Sequence, residues 1–167
     1  GSASELIAES HLDLGVRPEE AFVAGLLHDL GKMVLNLILP RAYGRVLGLA
    51  ERRASSSTEA ELQLLGVDHH TVGKRLAEHW GLPAPLRDTI WLHGQAPASL
   101  PDLPHRGMVA IVGVARNLVR HLHIGWCGDF NHPDALEGPR GVCKQFGLSA
   151  DLVEASVARL HENVGHR

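Results

Sequence analysis

Ala21-Phe22-Val23-Ala24-Gly25-Leu26-Leu27-His28-Asp29-Leu30-Gly31-Lys32 decides how this chain is read. Pro18 and Glu19-Glu20 just ahead open a helix: proline suits the first turn, and carboxylates suit the positive end of the helix dipole. Phe22, Leu26 and Leu30 recur at i, i+4 and i+8, and Val23 and Leu27 widen the stripe. His28-Asp29 therefore sits in an apolar helix running over Phe22–Leu30. Ala21, Ala24 and Gly25 lie one or two turns ahead and leave room for something to approach the pair. A carboxylate in such a setting needs a partner, because burying it alone is costly. A metal ion or a cationic side chain would serve. An exposed pair at a helix end is the alternative, and the apolar flanks argue against it.

Outward from this stretch the period stays helical. Tyr43, Val46, Leu47 and Ala50 mark an amphipathic helix after Pro40. Ser55-Ser56-Ser57 reads as a loop, and Thr58-Glu59-Ala60-Glu61 as a capping box opening a short helix to Gly66. Asp68 is an N-cap for a helix with Val72, Leu76 and Trp80 on one face, ended by Gly81-Leu82-Pro83. Pro85 starts a helix carrying Leu86, Ile90 and His93. After a Pro- and Ala-rich loop over 94–104 comes a long helix with Met108, Ile111, Val112, Ala115, Leu118, Val119 and Leu122 buried. A Gly- and Asn-rich loop spans 124–133. Ser149 or Asp151 opens a last helix with Leu152, Val153, Ser156, Val157 and Leu160. Only Met108–Val114 could be argued as a strand. The expected fold is all-α, a compact bundle of about seven or eight helices in one domain over 1–167.

Composition sets limits. The 167 residues carry 16 Lys+Arg against 19 Asp+Glu, a net charge of −3, too balanced for a strongly basic nucleic-acid binder. Cys127 and Cys143 do not make a disulfide scaffold and suit a reducing compartment. No uninterrupted apolar run approaches a membrane span; Met33–Leu39 is the longest, and Asn36 breaks it. Gly1-Ser2 reads as an expression scar. Helical character begins at once after it, so the chain reads as a fragment of a longer protein.

The odd number is 12 histidines, beside only 4% Phe, Trp and Tyr. Histidine is the commonest metal ligand. His69 shares a face with Val72, Gly73, Leu76 and Trp80 and points inward; His70, with Lys74 and Ala77, points outward. His93 follows Leu86 and Ile90 inward. His28, Asp29, His69 and His93 thus come from three helices, as a Zn, Fe or Mn site requires. Taken singly, each histidine is better read as a core residue bonded to a backbone carbonyl. His121 and His123 suit a helix C-terminus. His11, His79, His105, His132, His161 and His166 show no ligand spacing, and Cys127, His132 and Cys143 match no zinc pattern.

The Ala21–Lys32 stretch resembles the signature of the HD superfamily and, more narrowly, its HDOD branch. Glu61-Leu62-Gln63-Leu64-Leu65-Gly66-Val67-Asp68-His69-His70-Thr71-Val72-Gly73, with Leu76, Trp80, Gly81, Leu82 and Pro83, is similar to the second HDOD hallmark, and Ile90…His93 to the third. The likeness runs from about Leu14 to about Gly125. It implies a compact helical fold and a bacterial cytoplasmic signalling role. HD-superfamily enzymes are metal-dependent phosphohydrolases; HDOD proteins are regarded as regulatory relatives. By resemblance His28 and Asp29 are the metal pair, and His69 and His93 two further ligands. The upstream histidine falls at or before Gly1, Arg116 stands where the late aspartate is expected, and Gly94 breaks the histidine doublet after His93.

Arg116 is then expected to pair with Asp29 and replace the metal as internal counter-charge. The favoured function is a non-catalytic regulatory domain acting through other signalling domains or proteins, with no cofactor. The runner-up is a phosphohydrolase of nucleotides or cyclic dinucleotides using Zn, Fe, Mn or Mg. A third reading is a sensor of a small, nucleotide-like anion lined by His93, Arg116 and Arg120. No membrane or direct nucleic-acid contact is expected, and a homodimer is left open.

Overall fold

The computed structural model describes residues 1–96, 99–122, 124, 128–130, 140–141, 143–144 and 148–165. In chain order the helices are α1 (Ser2–Ser10), α2 (Pro18–Leu27), α3 (Leu30–Ile38), α4 (Pro40–Arg53), α5 (Ser57–Leu65), α6 (His69–His79), α7 (Ala84–Leu92), α8 (Arg106–His121) and α9 (Ala150–Gly165), with a 3-10 turn at Leu12–Leu14. No strand occurs among the described residues, and Met108–Val114 is helical. The all-α expectation holds.

The apolar stripes pack into adjoining clusters. Ile7, Ala21, Ile111, Val112, Val114 and Val153 join α1, α2, α8 and α9. Tyr43, Val46 and Ala50 of α4 meet Leu35 of α3 and Ala60 of α5. Leu30, Ala77 and Ile90 tie α3, α6 and α7 together beside the histidines. Fully burying a Val, Leu or Ile side chain contributes roughly 1.5–3 kcal/mol, so these clusters set a rigid frame.

Three sequence expectations are corrected. First, Phe22–Leu30 is not one helix. It breaks at His28-Asp29, where Asp29 leaves helical geometry at φ −96° and ψ 21°. His28 Nδ1 donates to the Gly25 carbonyl at 2.7 Å, the acceptor that a continuing helix would offer to the Asp29 N–H. Second, the capping box is Ser56 with Glu59, two residues earlier than Thr58 with Glu61. That shift frees Glu61 to be a fully buried residue. Third, Trp80 is largely exposed rather than buried. The Asp68 cap is as expected, accepting from Thr71 N at 2.8 Å.

The approach of α3 to α6 places the site. A Cβ on Gly31 would lie 1.9 Å from the His69 carbonyl oxygen, and one on Gly73 would lie 2.7 Å from Ile90 Cγ2. Only glycine at both positions lets the two backbones meet, and that contact carries His69 to Asp29. Against the expectation that no apolar run approaches a membrane span, Pro18–Ile38 taken end to end is long and apolar enough to cross one by length and composition. In the fold it is two helices, α2 packed on α1, α7 and α8, and α3 on α4 and α6. Leu26, Met33, Leu37 and Ile38 of this pair remain exposed.

Candidate metal centre

His28 and Asp29 form the turn between α2 and α3, His69 opens α6, and His93 caps the end of α7. His69 and His93 are buried; the side chains of His28 and Asp29 are about one-fifth exposed, so the centre opens to solvent on their side. The structure brings together the four residues that the sequence singled out. His28 Nε2 lies 3.4 Å from Asp29 Oδ2, and His69 Nε2 and His93 Nε2 each lie 3.5 Å from Asp29 Oδ1.

The other ring nitrogens are fixed. His28 Nδ1 donates to Gly25 O, His93 Nδ1 to Thr89 O at 3.0 Å, and His69 Nδ1 to Glu61 Oε2 at 2.6 Å. A carbonyl can only accept, so in a neutral imidazole the proton is on Nδ1 and the lone pair on Nε2. Burial pushes His93 down to about 4 and lowers His28, which keeps both imidazoles neutral near pH 7. Burial also opposes ionisation of Asp29, but its surroundings, the Lys32 ammonium 3.1 Å away among them, hold its carboxyl well below the usual range. Lone pairs thus face an anionic oxygen. His69 Nε2, His93 Nε2 and Asp29 Oδ1 are buried without hydrogen-bond partners. Such an arrangement calls for a cation between them, and imidazoles oriented by carbonyl or carboxylate acceptors are the usual form of metal ligands.

Arg116 does not pair with Asp29, which corrects the expected counter-charge. Its Nη2 donates to Asp129 Oδ2 at 2.5 Å, and Arg120 Nε lies 3.8 Å from the same oxygen. Asp129 Oδ1 accepts from Ser57 N at 2.8 Å and Ser57 Oγ at 2.7 Å. The Asp129 side chain is fully buried. Burial raises its carboxyl, but Arg116, Lys32 and Ser57 prevail and hold it far below the ordinary value. Asp129 comes from the segment after α8, and no local spacing links it to Arg116. The cation on Asp29 is Lys32, 3.1 Å from Oδ2 and one helical turn away. Because Asp129 neutralises Arg116, the guanidinium is a weaker obstacle to a metal than its position in the sequence suggests.

His70 is a second correction. Its ring stands 4.0 Å from that of His69 and 4.6 Å from that of His93, not on the surface. The face shared with Lys74 and Ala77 packs on α7: Ala77 is buried, and the Lys74 ammonium sits 3.3 Å over the Trp91 ring. Burial, reinforced by His69 and His93, pushes the His70 imidazole down to about 2. Glu61 also escaped the sequence reading. Its Oε1 accepts from Tyr43 OH at 2.9 Å, while Oε2 accepts from the His69 backbone N–H and Nδ1. Ring nitrogens and carboxylate oxygens of His28, Asp29 and His93, and of His69, His70 and His93, gather within 4.8 Å in each group.

Cys143 is buried and free; Cys127 and His132 lie outside the described residues, as do His123 and His166, and the His161 side chain.

The HDOD domain family matches residues 1–96, more than half of the chain. The chain belongs to the HDOD family. That match covers α1 to α7 and ends before α8, so His28, Asp29, His69 and His93 fall inside it and Arg116 outside. An HDOD domain protein of unknown function from Geobacter sulfurreducens has the same fold, with a TM-score of 0.77 and 28% identity, over 99% of this chain and 57% of that one. A candidate phosphohydrolase from Shewanella amazonensis matches in fold with a TM-score of 0.71 and 20% identity, over 96% of this chain and 57% of that one. An uncharacterized protein of Treponema pallidum is 25% identical over 103 residues, 62% of this chain and 20% of that protein. The chain thus spans just over half the length of the solved relatives and a fifth of the curated one. The helical frame seen here is that of the HDOD domain protein from Geobacter sulfurreducens.

Proposed function

We propose that this HDOD domain holds a divalent transition-metal ion and works as a regulatory module rather than as a hydrolase. The single observation that carries the metal is the set of buried, partnerless atoms His69 Nε2, His93 Nε2 and Asp29 Oδ1. His69, His93 and Asp29 would hold the ion, with His28 on the open side. An ion of this kind polarises a phosphoryl oxygen or lowers the pKa of a bound water when present. The nitrogen-rich donor set suits Zn or Fe better than Mg.

The regulatory part rests on the second carboxylate. Arg116 stands in its place and is committed to Asp129, so Asp29 is the one carboxylate in the two ligand groups. Signalling would proceed by contact with other domains or proteins in the cytoplasm, and the exposed Leu26, Met33, Leu37 and Ile38 offer apolar surface for such contact. A phosphohydrolase is the second reading. It is favoured by the opening at His28 and Asp29, where the Lys32 ammonium is placed to meet a phosphoester.

The test is elemental analysis of purified protein followed by assay on a generic phosphodiester with added Mn²⁺. Retained metal without turnover is expected. Turnover that disappears in Asp29→Ala would replace the regulatory reading with the hydrolytic one, and protein without metal affinity would refute the metal.

A further inference from the structure

We infer that His70 is itself a metal ligand, admitted to the centre by Gly94, so that His69, His70 and His93 form a three-imidazole cation position. The inference rests on the metal reading above and extends it to a residue outside the set derived from His28 and Asp29.

Three observations carry it. The first is the space at Gly94. A Cβ there would lie 2.7 Å from His70 Cε1 and 2.8 Å from His70 Nε2. Any larger residue at 94 would push the ring away, so the absence of a side chain at this position is what the His70 ring occupies. The second is the unpaired nitrogen. His70 Nδ1 is buried without a hydrogen-bond partner, while Nε2 lies 3.5 Å from the Thr58 hydroxyl. A proton on Nε2 directed at Thr58 leaves the Nδ1 lone pair for a cation. The third is convergence: His69, His70 and His93 each present a ligand nitrogen within 4.8 Å of the others.

His93 limits the arrangement. Its Nδ1 donates to Thr89 O, so it has one lone pair and can serve one ion at a time. The His69–His70–His93 group and the His28–Asp29–His93 group therefore compete for His93 rather than forming two complete sites. Three neutral imidazoles select Zn²⁺ or Co²⁺ over Mg²⁺, which prefers oxygen ligands. The substitution of a histidine by Gly94 in the third motif is thus answered by a histidine from α6.

The experiment measures Zn²⁺ affinity by chelator competition and the visible spectrum of the Co²⁺ form. It compares the unaltered protein with His70→Ala, His70→Gln, Gly94→Ala and His28→Ala, with circular dichroism confirming the fold. Loss of His70 is expected to weaken Zn²⁺ by about 100-fold, as large as or larger than the loss of an orienting partner. Gly94→Ala, which keeps all ligands but displaces the ring, is expected to weaken it by about 10-fold and to shift the Co²⁺ bands. Equal Zn²⁺ affinity and equal Co²⁺ spectra in the His70 variants would overturn the role of His70 while leaving the metal reading intact. An unaltered protein that binds neither ion would overturn both. A His70 variant that fails to fold leaves Gly94→Ala to decide, and an unchanged Co²⁺ spectrum there counts against the inference.

Discussion

His11 and His93 are both buried, both sit beside a helix C-terminus, and both bond through Nδ1 to a carbonyl four residues back. They differ at Nε2. His11 Nε2 accepts the Ser149 N–H at 3.0 Å and so stitches α1 to the start of α9. His93 Nε2 has no hydrogen-bond partner and faces Asp29. A buried histidine with both nitrogens satisfied is structure; one with a lone pair aimed at a carboxylate is waiting for a cation. Burial alone does not separate the two cases, and neither does helical facing.

The largest effect is expected at the ion pair of Arg116 and Asp129. Asp129→Ala strands the Arg116 guanidinium and the Ser57 N–H, and should cost about 3–5 kcal/mol in chemical denaturation. The same carboxyl predicts acid behaviour. Its folded pKa lies below the unfolded value near ~3.9, so its stabilisation is complete above that value and is lost as pH falls through the folded pKa. Denaturation midpoints taken downward from pH 6 should fall more steeply in the unaltered protein than in Asp129→Asn.

Gly31→Ala should be next, at about 3 kcal/mol, the upper part of the usual overpacking range, because the new Cβ meets the His69 carbonyl. It should also weaken metal binding, since α3 and α6 must part. His11→Leu should cost about 1–3 kcal/mol by orphaning the Ser149 N–H, with metal affinity unchanged. His93→Leu should do the reverse: in chelator-treated protein it should shift the melting temperature little, because the Thr89 carbonyl keeps the His93 N–H and the removed Nε2 had no partner. A large loss of stability in metal-free His93→Leu would put His93 in the same class as His11. Ser56→Ala is the smallest expected effect, about 1 kcal/mol from one helix cap, and should leave both histidines untouched.

Much of the centre was legible in the sequence because its parts are local. Helical facing puts His69 and His93 inward, and Ala21, Ala24 and Gly25 ahead of His28-Asp29 mark a close approach; at Gly25 it is made by α1, where a Cβ would lie 2.3 Å from Ser4 Oγ. The errors have separate causes. Facing assumes one buried side per helix, whereas α6 is packed by α3 on one side and α7 on the other, so the face read as outward for His70 is covered too. Arg116 was given the nearest anion known from the motif; its real partner comes from beyond α8, and no periodicity connects the two. Glu61 is hidden by a capping box expected two residues too late.

The most direct test is a crystal of the protein soaked in Zn²⁺ and measured at the zinc absorption edge. The account predicts an anomalous peak within bonding distance of His69 Nε2 and His93 Nε2, about 2.0–2.1 Å, and none beside His11. A map with no peak at that place, and with water hydrogen-bonded to both Nε2 atoms, would contradict it.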